Sequence, residues 1–185
     1  MAAVIVRTLI LVSALILIAA AVGRWWFWGR TQARGRRTEC ALTVAELYER
    51  LGVKKRKPSD LRDAAALGAA LRDGGLILLE KDGLKAAKKR RVGWWNLRIL
   101  PVLVVLILVF AFLKPRFAPA WVAAVGAALV ALHVVMRVNG IGVELKAVQR
   151  AWKEIEGRNV FRRMDEAEEV QRCARASVWD TILPW

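Results

Sequence analysis

A chain of 185 residues that is 57% hydrophobic yet carries a formal charge of +15 is an odd composition for a soluble domain. It suits a small membrane protein with a basic cytoplasmic part. Two cysteines, Cys40 and Cys173, stand far apart without CxxC spacing, so neither a metal knuckle nor a redox pair is indicated, and two free thiols in a reducing compartment are expected.

The charge is unevenly spread. Arg24 to Arg98 holds 19 Lys/Arg against 8 Asp/Glu, a surplus of +11, whereas Arg137 to Trp185 holds 9 against 8. Cations beside anionic headgroups are attracted by on the order of 1 kcal/mol each, so the first of these segments is expected to lie against a membrane surface.

In chain order, the first apolar run is Val4 to Val22, broken only by Arg7, Thr8 and Ser13. Its length is close to the roughly 20 residues a helix needs to cross hydrocarbon, and Thr8 and Ser13 can bond back to their own helix. Small residues at Ala19 and Ala21 also fit a cleaved leader. Against that reading, Arg24, Arg30, Arg34, Arg36 and Arg37 crowd the downstream flank, as in an uncleaved anchor whose C-terminal end is cytoplasmic. Trp25, Trp26, Phe27 and Trp28 follow the run directly, and Trp94 and Trp95 precede the next one. Indole rings favour the headgroup level, so both clusters mark an interface.

Thr43-Val-Ala-Glu46 has capping-box spacing, which predicts a helix through AELYERL ending near Gly52. A basic turn, Lys54, Lys55, Arg56 and Lys57, leads to Ser59, a cap for a second helix ended by Gly74-Gly75. LILLE then reads as a strand and Lys81-Asp82-Gly83 as a turn, before LKAAKKRR with Lys88, Lys89, Arg90 and Arg91. The two helices and LILLEKDGLKAAKKRR together resemble the latter part of a winged-helix domain over about residues 43–91. That resemblance implies a small α+β domain with a recognition helix and a wing. Asp60 and Asp63 near the start of the second helix oppose contact with phosphates, which favours docking on protein over reading DNA.

Ile99 to Met136 contains two uncharged apolar runs separated by KPRFAP, a pattern expected to form a membrane hairpin with both ends cytoplasmic. In the second of these runs, Ala123, Gly126, Ala127 and Ala131 give a small-residue face for close helix packing. The same run holds His133, the single histidine. It is either a neutral residue bonded near the inner end of the span or an axial ligand for haem or chlorophyll, which would need a second ligand from elsewhere.

Asn139-Gly140-Ile141-Gly142 reads as a flexible joint. Beyond it Leu145, Val148, Trp152 and Ile155 form an apolar stripe at helical spacing. After Gly157-Arg158-Asn159 a second helix is expected from about residue 160 to Ala176. Trp179, Ile182, Leu183 and Trp185 end on apolar side chains, expected to dock with Trp152 on a partner or the membrane face, or else on the chain's own small domain.

The sequence carries no nucleophile–histidine pattern, no phosphate loop and no carboxylate pair outside solvated helix faces. The expectation is therefore a mainly α membrane protein with three transmembrane helices, a small α+β cytoplasmic domain and a helical tail. Its segments are 1–23, 24–98, 99–138 and 139–185. The expected role is a non-catalytic accessory or scaffold subunit of an inner-membrane complex, without a cofactor, whose partners are other membrane subunits and anionic lipid headgroups. The alternatives are a membrane-tethered regulator whose winged-helix-like part binds nucleic acid and a pigment or haem subunit using His133.

Overall fold

The computed structural model describes residues 2–54, 59–88, 119–158 and 160–183, with isolated helical positions between 102 and 111. Helix α1 (Ala2–Gly23) is apolar almost throughout, and Thr8 donates back to the carbonyl of Val4 at 3.0 Å. The residues α1 buries, Val6, Ser13 and Ala20, recur every seventh position, a narrow seam suited to one neighbouring helix. That neighbour includes α5 (Pro119–Asn139), which buries Ala124, Gly126 and Ala131. Small side chains on both seams let the two backbones approach.

Past Gly23 the chain continues as a π-helical turn (Arg24–Gly29) and then α2 (Arg30–Gly35). Ala3–Gly35 is thus one helical rod of 33 residues. Likewise α5 runs into α6 (Ile141–Glu156), and Pro119–Glu156 forms a second rod of 38 residues. Gly140 keeps right-handed dihedrals (φ −85°, ψ −8°), so the flexible joint expected at 139–142 is instead helical continuation. Both rods are long and apolar enough to cross a membrane, with only 11% and 28% of their apolar windows buried within the protein. This is the mark of helices whose apolar faces lie outward, and it points to a membrane location.

The two rods end in a helical domain. Helix α3 (Val44–Arg50) begins with the expected capping box: the Thr43 hydroxyl accepts from Glu46 N–H at 3.2 Å, and the Glu46 carboxylate accepts from Thr43 N–H at 3.0 Å. Helix α4 (Ala64–Lys81) is capped by Asp63, whose carboxylate accepts from Ala66 N–H at 2.8 Å, rather than by Ser59. It packs against α2, α3, α6 and α7 (Met164–Ser177). Leu47, Leu67, Leu71, Val148, Ile155 and Val170 fill the space between these helices and are fully enclosed. A 3-10 turn (Val178–Thr181) follows α7.

Four expectations are corrected here. LILLE is not a strand but the last turns of α4, and the described residues contain a single β-bridge, Glu39 to Asp63, with no sheet. Gly74 and Gly75 do not stop the helix. They lie where other helices cross it, and a Cβ at Gly75 would run into the Ala147 carbonyl of α6. The helix ends at the Asp82-Gly83 turn. Gly83 has φ +85°, and Leu84 N–H and Gly83 N–H donate to the carbonyls of Leu79 and Glu80 at 2.9 and 3.1 Å, a Schellman cap. The expected α+β domain is therefore all-helical in the described residues. The expected three spans are likewise corrected to two apolar rods among those residues; the run at 99–113 and the KPRFAP loop fall outside them apart from isolated positions.

Candidate functional site: a cleft where the first rod leaves its apolar segment

The π-helical turn RWWFWG begins directly after the apolar helix. Trp25 and Trp26 are exposed. Arginines stack on two of the indoles: the Arg24 guanidinium lies 4.8 Å from the Trp28 ring centre and Arg30 lies 4.7 Å from that of Trp26, contacts worth about 0.5–1 kcal/mol where exposed. Phe27 is taken up by the C-terminal 3-10 turn, with Trp179 stacked on it at 4.8 Å and 23°. The indole passes over Gly23, where a Cβ would approach it to 3.1 Å. Asp180 completes the clasp by accepting from Arg24 at 3.2 Å.

Behind the clasp lies a buried ion pair. Arg72 of α4 is 3.8 Å from the Glu144 carboxylate of α6, and it also donates to the Ser177 carbonyl. Thr181 adds a hydroxyl donor to Glu144 at 3.3 Å. Since removing one member of such a pair strands the other charge, this group ties α4, α6 and the C-terminal turn into one unit.

Between the clasp and α4 opens a cleft of about 600 Å³, within the range of small-ligand sites. The first rod contributes Trp28, Gln32 and Arg36, spaced by four so that they share one helix face. Helix α4 contributes an apolar floor of Ala65, Ala66 and Ala69, with Arg72 at one end and its cap Asp63 at the other. Ser177 and Asp180 close the far wall, and Leu61 lies at the rim. Gln32 is only 8% exposed overall, and its amide is not among the buried polar atoms left without a partner, so it meets solvent through the cleft it lines.

The remaining expected residues scatter. Gly126 and Ala131 are buried, Ala127 is half-buried and Ala123 faces outward, so the small-residue face is turned partly away from the seam. His133 is 3% exposed, on the buried face of α5 with Arg137 one turn on. Trp152 is half-buried and stacked on Phe161 at 6.0 Å, while Trp179 is occupied by Phe27. Ile182 and Leu183 pack on α1 and α5 through Ala20 and Val134, so this part of the tail docks on its own chain. Lys54 and Lys88 are exposed. Lys55, Arg56, Lys57, Lys89, Arg90, Arg91, Trp94, Trp95 and Trp185 lie outside the described residues.

Sequence reasoning missed Gln32, Arg36, Asp63, Arg72 and Asp180 as site residues. The Trp28–Gln32–Arg36 spacing was the available signal, hidden because this basic stretch looks like a domain boundary. Both thiols are buried. Burial, aided by nearby carboxylates, pushes Cys40 up to about 11, and burial pushes Cys173 up to about 12, which leaves neither a nucleophile at neutral pH. Among the described residues no cluster of His, Cys, Asp and Glu is suited to hold a metal ion. No known family model, curated protein or solved structure matches the chain.

Proposed function

We propose that this protein is a non-catalytic accessory subunit of a membrane protein complex, one that holds partner helices in the bilayer and presents its helical domain at a fixed height above it. The observation carrying this reading is the continuity of the two rods. Each passes from apolar segment to domain core without a loop, Ala3–Gly35 and Pro119–Glu156, so the domain cannot swing as a tethered module would.

Outward faces are available for partners. Val4, Leu11, Leu15, Ile18 and Val22 on α1, and Leu129 and Leu132 on α5, are exposed. Such faces meet lipid or another helix, and the outward Ala123 is the kind of small residue that lets a second helix approach. The cluster Arg24, Arg30, Arg34, Arg36 and Arg37 favours a cytoplasmic position for the domain in a bacterial-type inner membrane, with the N-terminal end of α1 outside, and supports contact with anionic lipid headgroups.

The test is purification of the tagged chain from its native membrane in mild detergent, with mass determination of the intact particle. A defined assembly with co-purifying membrane polypeptides is expected. A lone monomer at every concentration, with no companion chain, would overturn the proposal.

A further inference from the structure

We infer that the cleft between the first rod and α4 binds a zwitterionic phosphate headgroup of the ethanolamine type, carrying one phosphate and one primary ammonium. Its position comes first. Asp180 on the far wall bonds Arg24, the first residue beyond the apolar helix, and Trp28 belongs to the same π-turn as the exposed Trp25 and Trp26. The cleft therefore reaches the level at which an apolar rod emerges from hydrocarbon, where headgroups lie.

Its charge pattern comes second. The Arg36 side chain is exposed, makes no ion pair among the described residues, and shares the cleft-lining helix face with the amide of Gln32. Together they offer a charge-assisted donor and an amide donor, the set a phosphate accepts from. Two carboxylates also line the space. One oxygen of Asp63 caps α4 and one of Asp180 accepts from Arg24, leaving each with a second oxygen facing no donor among the described residues. The four charged residues of the lining, Arg36, Arg72, Asp63 and Asp180, sum to zero. A purely anionic headgroup would be opposed by the carboxylates, whereas an ammonium beside the phosphate answers them.

The same chemistry could arrive as membrane lipid or as soluble glycerophosphoethanolamine, and the experiment separates these sources. The full chain in mild detergent is mixed with phosphatidylethanolamine or phosphatidylglycerol, and lipid retained on the intact protein is counted by native mass spectrometry. Phosphatidylethanolamine should be retained preferentially. Arg36→Ala should lower its retention about tenfold, the usual loss for one charge-assisted hydrogen bond. Arg37→Ala, which removes the same charge one residue outside the cleft, should leave it unchanged. Asp63→Asn keeps a competent helix cap while removing a carboxylate, and should move the preference toward phosphatidylglycerol.

Displacement of the lipid by millimolar glycerophosphoethanolamine supports the headgroup assignment with a soluble source, and failure to displace it supports a lipid one. Equal retention of both lipids, equal losses in R36A and R37A, or no retained lipid at all would each overturn it. Folding of every variant is checked by circular dichroism and by unchanged thiol burial.

Discussion

The two rods and the domain they enter use opposite economies of apolar surface. In the apolar halves of the rods many leucines point outward and small residues line much of the seam: Leu11 is 65% exposed while Ser13 is 3% and Ala20 is 8% exposed. In the helical domain the order is reversed, with Leu47, Leu67 and Leu71 wholly enclosed. The same residue type is therefore structural in one half and solvent-matching in the other. Composition alone, at 57% hydrophobic, cannot distinguish the two uses.

Substitutions can sharpen that contrast. Leu67→Ala should cost about 3–5 kcal/mol of domain stability through the cavity it leaves, while Leu11→Ala, facing outward, should leave the same denaturation midpoint unmoved. Equal losses would mean that α1 is a core helix of a soluble protein. Next in size is Gly75→Ala, whose methyl would meet the Ala147 carbonyl; about 2–3 kcal/mol is expected from separating α4 and α6. An alanine at exposed Gly142, where nothing lies in the way, should be neutral or slightly stabilising.

Smaller effects test the junction and the caps. A double-mutant cycle between Phe27→Leu and Trp179→Leu should return about 1 kcal/mol of coupling for the stacked rings, read from resistance of the C-terminal turn to proteolysis. Thr43→Ala should cost about 1 kcal/mol by removing half of the capping box. The mildest perturbation is alkalinity. Cys40 and Cys173 hold their protons up to about pH 11 and 12, whereas the unfolded chain releases them from about pH 9. Their contribution is thus full below pH 9 and declines as pH rises toward the folded values. A chemical-denaturation series from pH 7 to 10 should show this decline, absent in a double Cys→Ala variant. At pH 8 both thiols should resist alkylation until the domain is unfolded.

Local signals carried much of the architecture. The capping box at Thr43 and the stop at Gly52, which has φ +65°, were readable, as were the apolar runs and the interruption at Gly157. The failures were tertiary. Gly74-Gly75 looks like a helix end because glycine is a poor helix former, but contact with α6 repays its presence by allowing an approach that no side chain would permit. The stripe on α6 shifted for the same reason. Glu144, Ala147, Val148, Ala151 and Ile155 are buried, while Leu145 and Trp152 sit toward its edge, because alanines bring the helices closer than bulky residues can. The site was the least legible part: Arg72 and Glu144 are 72 positions apart in sequence and meet only because α4 and α6 cross.

The clasp of Trp179 and Asp180 on Phe27 and Arg24 also orders events in time. Asp180 lies 156 residues after its partner, and at about 5–20 residues per second a ribosome needs roughly 8–30 seconds to reach it. During that interval the first rod has no clasp over its basic, aromatic end, because the turn that covers Phe27 and Arg24 is not yet made.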